Sequence, residues 1–399
     1  MKRILLGITG GVACYKSLEL ARELMKRDYA VTCVLTSSAG KMITPLLCEA
    51  ITGNKAYTDL FETGAMLHIR LEREADALVV APATANFLAK ADLGIGDDLL
   101  STILLSRTQK PILFAPAMNR EMYHNPVVQE HIRHLQKKGF IVLPVGEGSL
   151  ACGEEGPGRM LEPAEIADYV EFALTEKVFA GLRFLVTAGP TREFLDGVRF
   201  ISNPASGKMG YEIARRAVFA GADVVLISGP TALPHPPFCR TIEVENAEQM
   251  RKACAEHLAE TDILVMTAAV TDIRPREIFK GKVRREDWHQ RSISFTSTPD
   301  ILSTLAERKE NRFFVGFAAE WGLNNAHAWK KKLHQKSLDL LVVNDISTRE
   351  AGFASDRIRA LLLYPDGESS PVWELPKKDF ALRLLDEIHR LLKERRKNI

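Results

Sequence analysis

Short apolar runs alternate along the chain with segments whose apolar residues fall three and four apart, the pattern of a parallel sheet covered by helices. Arg3–Ile8 reads as a buried strand and Gly10-Gly11 as a turn, with Leu18, Ala21, Leu24 and Met25 as the apolar stripe of a helix that leads to a strand at Ala30–Leu35. Residues 77–81, 112–115 and 140–143 repeat the strand pattern. A joint is expected over 175–181, after which Arg183–Ala188, Asp223–Ser228 and residues 262–267, 313–317 and 339–343 read as a second set of strands. Ser206-Gly207-Lys208-Met209-Gly210 opens a helix reaching about Ala220; residues 358–373 read as a hairpin around Pro365-Asp366-Gly367, and a closing helix runs through Leu391. The expected fold class is α/β, with two Rossmann-like parallel-sheet domains over 1–182 and 183–399, the second carrying a β-hairpin extension.

Composition narrows the classes. A chain of 399 residues accommodates two or three domains, and 46% hydrophobic with 26% charged residues is globular rather than disordered or collagenous. Lys+Arg 53 against Asp+Glu 51 leaves +2, too balanced for a protein that grips nucleic acid through bulk charge. Any polyanion it binds is expected to be small. The apolar start stops at Gly10-Gly11, so it is not read as a secretory signal, and no run approaches the ~18 apolar residues of a membrane span. Cys14, Cys33, Cys48, Cys152, Cys239 and Cys254 show no paired spacing, which predicts reduced thiols and a cytoplasmic protein. Without Cys-x-x-Cys or His-Glu-x-x-His, zinc has no support.

Ligands of parallel sheets sit at the carboxyl ends of strands. An NAD-dependent oxidoreductase would want Gly-x-Gly-x-x-Gly after the first strand and an acidic residue after the second, and the chain has neither. It has Thr9-Gly10-Gly11 and Thr36-Ser37-Ser38, whose hydroxyls and backbone donors suit the phosphate of a mononucleotide such as a flavin. Glycine after a strand is more often only a tight turn. Ala81-Pro82-Ala83-Thr84-Ala85-Asn86 and Ala115-Pro116-Ala117-Met118-Asn119 echo each other, small residues that let a ring approach the backbone, each with one amide side chain. The glycine-rich stretch from Gly146 to Gly158 reads as a mobile flap bearing Cys152, not as a strand. A lone His68 is more often structural than functional, and a lone Cys152 more often inert.

In the second half, Ser206-Gly207-Lys208-Met209 lacks the glycine and hydroxyl of a P-loop, leaving a cationic helix start as a phosphate seat or a plain surface lysine. The run Phe279-Lys280-Gly281-Lys282-Val283-Arg284-Arg285 follows a strand end and could fold over a triphosphate. Lys332 and Lys336 fall at i, i+4 on one helix face for the same purpose.

Taken together, Gly10-Gly11, His68-Ile69, Pro82-Ala83-Thr84-Ala85, Asp97 to Thr102, Pro116-Ala117-Met118-Asn119, Ala151-Cys152-Gly153 and Gly156-Pro157-Gly158-Arg159-Met160 resemble the flavin-dependent phosphopantothenoylcysteine decarboxylases. The second half resembles the phosphopantothenate-cysteine ligase fused to that enzyme in many bacteria. The resemblance implies an FMN-dependent decarboxylase domain over 1–182, with FMN held by Gly10, Gly11, Val12, Ser37, Thr84 and Asn86. His68 would be the base or orienting partner, Asn119 the carboxylate grip and Cys152 the proton donor. It implies a CTP-dependent ligase domain over 183–399, with Asn203 and Lys282 catalytic. Ala268, Asp272, Lys282, Pro299, Asp300, Ile301, Leu302, Phe317, Lys332 and Lys336 would bind the nucleotide.

Asn203 would hold an acyl-cytidylate carbonyl through its amide donors, Lys282 would stabilise charge on the α-phosphate, and magnesium, its protein ligands unassigned, would neutralise the phosphates. The implied substrates are 4'-phosphopantothenate, cysteine and CTP, the product 4'-phosphopantetheine for coenzyme A, and the assembly a homo-oligomer that binds neither nucleic acid nor membrane. The chain departs from the family pattern at Pro204-Ala205, Arg284-Arg285, Ser297 and Ile358. A non-catalytic flavin-binding regulatory protein is the alternative, disfavoured because His68, Asn119 and Cys152 are all present.

Overall fold

The computed structural model describes residues 1–62, 66–106, 109–149, 155–290, 292–348, 352 and 355–397. The chain forms two compact units, Met1–Thr175 and Glu176–Ile399.

In the first unit β1 (Arg3–Ile8), β2 (Ala30–Leu35), β3 (Ala77–Ala83), β4 (Ile112–Pro116) and β5 (Ile141–Val142) form a parallel sheet in the order β2-β1-β3-β4-β5. Along β1, Ile4, Leu6 and Ile8 enter one core and Leu5 the other, because successive side chains point to opposite faces. The helix Tyr15–Lys26 buries Leu20, Ala21 and Leu24 against the first of these cores. Full burial of each leucine is worth ~1.5–3 kcal/mol. Of the stripe expected from spacing, Ala21 and Leu24 are buried, Leu18 is only partly covered and Met25 is exposed. Strand order reverses beside β1, which leaves a crevice at the carboxyl ends of β1 and β3.

The glycine-rich stretch read as a flap instead builds β6 (Gly146–Ser149) and β7 (Glu155–Arg159), an antiparallel pair. Gly148, Gly156 and Gly158 take φ of 137°, 145° and 132°, extended conformations open to glycine alone, so the ladder closes where side chains could not follow. Cys152, between these strands, lies outside the described residues.

The strands of the second unit are β8 (Arg183–Ala188), β9 (Arg192–Phe194), β10 (Phe200–Ser202), β11 (Asp223–Ser228), β12 (Arg240–Glu243), β13 (Ile263–Met266), β14 (Ile273–Pro275), β15 (Phe295–Ser297), β16 (Phe313–Glu320), β17 (Leu340–Asp345), β18 (Arg357–Leu363) and β19 (Trp373–Pro376). The main sheet runs β12-β11-β8-β13-β16-β17-β18-β19, parallel as far as β17, with β18 and β19 antiparallel as the expected hairpin extension. The pairs β9–β10 and β14–β15 are separate antiparallel ribbons, with β14 against β9. Helix Lys208–Phe219 packs on β8 and β11, and the closing helix, Lys377–Lys397, packs on that helix. Gly210 makes the first contact possible, since a Cβ there would stand 2.5 Å from Thr267 Oγ1 and 2.6 Å from Ala188 Cβ. Among the described residues no helix is long and apolar enough to cross a membrane.

Candidate functional site

At the carboxyl end of β1, Gly10 brings two loops into backbone contact: a Cβ on it would lie 2.3 Å from Ser38 Cβ and 2.9 Å from the Ser38 carbonyl carbon. The neighbouring Thr9 is buried, and its Oγ1 donates to Pro82 O at 2.8 Å and accepts from Thr84 N at 3.1 Å. Thr84 Oγ1 in turn accepts from Phe87 N at 3.4 Å and caps helix Ala85–Leu93. The loops after β1, β2 and β3 are thus fastened to one another. Val12, Ser37 and Asn86 stand exposed on them, and the short 3-10 turn Val12–Cys14 leads into helix Tyr15–Lys26. Exposed hydroxyl, amide and helix-start N–H groups on a rigid strand-end crevice fit a phosphate and a planar ring approaching the backbone.

The loop after β4 joins the same edge, because Ala117 N donates to Ala83 O at 3.1 Å. Asn119 caps helix Arg120–His124 by accepting from Met122 N through Oδ1 at 2.8 Å, which leaves its Nδ2 as the free donor. Met118 N donates to Gly158 O at 3.0 Å, and a Cβ on Gly158 would lie 2.4 Å from Met118 O, so the β6–β7 pair is seated directly on the Asn119 loop. His68 stands on helix Leu67–Glu74, partly buried, and its Nδ1 is buried with no hydrogen-bond partner among the described residues. An orphaned ring nitrogen of this kind suits a bound group rather than a packing role. The described contacts do not tie His68 to Asn119; its helix packs on β1 and on helix Leu99–Leu105.

In the second unit the loops after β8 and β13 are laced together. Ala269 N donates to Gly189 O at 2.9 Å, Thr191 N to Ala269 O at 3.3 Å, Thr271 N to Thr191 Oγ1 at 3.0 Å, and Ala268 N to Thr187 Oγ1 at 3.2 Å. Asn203, just after β10, donates from Nδ2 to Ala269 O at 3.1 Å and Val270 O at 3.3 Å. Two carbonyl acceptors require the NH2 group on that side. The donors expected to hold a substrate carbonyl are therefore engaged with the main chain, and Oδ1 is the group left over. Thr298 N donates to Asp272 O at 3.0 Å, which sets Pro299, Asp300, Ile301 and Leu302 beside the same loop.

Asp300 caps helix Ile301–Ala306 and takes Lys336 Nζ at 3.0 Å. Lys332 is half-buried; burial and the charge of Lys336 lower its pKa, while Glu320, Asp300 and Asp272 oppose them. Asp272, Asp300, Lys332 and Lys336 are thereby gathered at one edge, with Glu320 from the end of β16, the strand that also carries Phe317. Lys208 Nζ bonds Asp356 at 2.6 Å, so the cationic helix start faces a carboxylate. Lys282 is exposed on an excursion between β14 and β15. Among the described residues no group of three or more His, Cys, Asp or Glu converges as a metal site.

Residues of the site loops that sequence reasoning did not single out are Thr191 and Glu320. Neither carries a local signal, since Thr191 meets Thr271 and Glu320 meets Lys332 only through the fold.

Residues 1–174 match the flavoprotein family, and residues 179–392 match the DNA/pantothenate metabolism flavoprotein C-terminal domain. The coenzyme A biosynthesis bifunctional protein CoaBC of Vibrio cholerae is 41% identical over 92% of this chain and 93% of its own length, and that of Bacillus subtilis is 38% identical over 98% of each. The chain belongs to the CoaBC family. A solved C-terminal domain of a CoaBC protein, 39% identical, covers 54% of this chain and 100% of its own length with a TM-score of 0.46. As a CoaBC protein the chain is a bifunctional enzyme of coenzyme A biosynthesis, joining a flavoprotein decarboxylase half to a ligase half.

Proposed function

We propose that the second unit condenses 4'-phosphopantothenate with cysteine at the cost of CTP, and that the first, with FMN, decarboxylates the product to 4'-phosphopantetheine. The observation that carries the ligase reading is the gathering of Lys332 and Lys336 with Asp272, Asp300 and Glu320 beside the Asn203-bound loop. A carboxylate and an amine do not condense in water, so the carboxylate first needs a leaving group. The carboxylate oxygen of phosphopantothenate attacks the α-phosphorus of CTP, pyrophosphate departs, and the cysteine amine then displaces CMP from the acyl carbon.

Lys332 and Lys336 hold the triphosphate, and Lys282 stabilises charge building on the α-phosphate. Asn203, with its donors on Ala269 O and Val270 O, holds the Ala268–Asp272 loop in place and turns Oδ1 toward the reacting groups. Magnesium would neutralise the nucleotide's phosphates, and no residue of this chain is assigned as its ligand.

In the decarboxylase half, Gly10, Gly11, Val12 and Ser37 hold the FMN phosphate, with Thr84 and Asn86 along the ring. Bound FMN would supply a reversible two-electron store: electrons withdrawn at the carbon bearing the thiol make that carbon the sink for the departing carboxylate's electron pair, and the same two electrons are returned to the product, so the reaction is redox-neutral overall. Asn119 donates from Nδ2 to that carboxylate, His68 orients the thiol and takes its proton, and Cys152 returns a proton after carbon dioxide has left. The reading extends to a cytoplasmic homo-oligomer.

The test incubates the protein with 4'-phosphopantothenate, cysteine, magnesium and CTP, and follows CMP and carbon dioxide. Asn203→Ala or Lys282→Ala should stop CMP release while decarboxylation of supplied 4'-phosphopantothenoylcysteine continues. Loss of both activities in a folded variant, or carbon dioxide release at full rate from flavin-free protein, would overturn the division of labour.

A further inference from the structure

The ribbon that leads to Asn203 also grips the segment that carries Lys282. Asp196 lies in the turn between β9 and β10, 0% exposed. Its carboxylate accepts from Val198 N at 2.8 Å, Arg199 N at 2.7 Å and Arg199 Nη1 at 2.7 Å, and, from 87 residues further along, Val283 N at 3.1 Å. Arg199 Nη1 also donates to Val283 O at 3.1 Å, and its guanidinium stacks 4.8 Å from the Trp288 ring centroid. Two backbone bonds complete the clasp, Gly197 N to Gly281 O and Phe279 N to Leu195 O, each 2.9 Å. Gly281 and Val283, on either side of Lys282, are therefore both held by the 195–199 turn, while Lys282 itself is exposed.

Three of the donors come from the turn itself and the fourth, Val283 N, from the basic segment, so full pairing of the buried carboxylate requires the two to be held together. This contrasts with a freely folding basic loop, which would have to be ordered at each turnover.

We propose that Asp196 is a positioning residue of the ligase: by holding Val283 and Arg199 it fixes the backbone on which Lys282 is presented to the α-phosphate. The inference rests on the role proposed above for Lys282. Asp196→Asn keeps the volume but turns an NH2 group toward N–H donors, which releases the Val283 side of the clasp. Gly197→Ala disturbs the same clasp without touching the carboxylate, because its Cβ would stand 3.3 Å from Gly281 O.

The experiment uses the full chain and three readouts: CTP affinity by calorimetry, single-turnover CMP formation, and the rate of tryptic cleavage in the 280–285 segment. Asp196→Asn should bind CTP within about threefold of wild type, form CMP about 10- to 100-fold more slowly, the loss expected of a catalytic group misplaced by about 1 Å, and be cut faster in the segment. Gly197→Ala should move all three in the same direction by less, and it decides the matter if Asp196→Asn proves unable to bind CTP. Unchanged CMP formation or unchanged cleavage in the variant that binds CTP overturns the inference. Lys282→Met separates the two levels: if it retains ligation, the role of Lys282 itself fails, whereas if it abolishes ligation and Asp196→Asn forms CMP at the wild-type rate, only the positioning role fails.

Discussion

Gly10→Ala tests whether the first crevice is shaped by close backbone approach. The added carbon would fall 2.3 Å from Ser38 Cβ, whereas carbon atoms settle ~3.5–4.0 Å apart, so one loop must retreat by more than about 1 Å. Overpacking of this kind costs about 1–3 kcal/mol. Thr9, fastened to Pro82 and Thr84, resists movement on the β1 side, so the displacement passes to the 36–40 loop that presents Ser37. If FMN must restore the native loop spacing, its affinity drops by about 5- to 150-fold. Flavin fluorescence quenching on titrating FMN into apoprotein reads this directly. Gly40→Ala on the same loop is the control, because nothing lies within 4 Å of its Cβ. Unchanged FMN affinity in Gly10→Ala, or an equal loss in Gly40→Ala, would refute the reasoning; ligation should be normal in both.

Gly158→Ala, strained at φ 132° and directed at Met118 O, should lower decarboxylation at least tenfold and leave CMP release intact, measured on the two half-reactions separately. Lys332, whose pKa is lowered by burial and by Lys336, deprotonates earlier than an ordinary lysine as pH rises, so CTP affinity should fall on the alkaline side. Lys332→Arg should flatten that limb, and an unchanged pH profile of CTP affinity would contradict it. Although burial opposes it, hydrogen bonds from His131, Lys138 and His134 hold Asp92 at about 2, below the 3.8 of an unperturbed aspartate. A depressed folded pKa contributes stability above about pH 4 that is lost as pH falls toward 2. The stability gap between wild type and Asp92→Asn in urea unfolding should therefore close over that window, and a gap independent of pH would count against the assignment.

Local pattern was enough for the main sheets. Strands such as Arg3–Ile8, Ala30–Leu35, Arg183–Ala188 and Asp223–Ser228 are continuous apolar runs because both their faces are covered by helices, and this shows in residues that are neighbours in the chain. The glycines and hydroxyls at strand ends were equally legible, since a turn residue is read from its own position. The short ribbons were not. β9, β10, β14 and β15 have three residues each, too few for any alternation to register, and they exist because they pair with one another.

The β6–β7 pair was missed for a related reason: its glycines removed the side-chain pattern while supplying the backbone freedom the ladder uses. Asn203 marked a site from its motif, yet only the fold shows its NH2 group turned to Ala269 O and Val270 O. The sequence by itself determined the α/β layers and the turns at strand ends, because burial and turn preference act over a few residues. Only the tertiary structure decided which polar groups are already paired. One of the four donors to Asp196 stands 87 residues away, at Val283 N, and a buried charge is answered by whatever the fold brings next to it, at any separation along the chain.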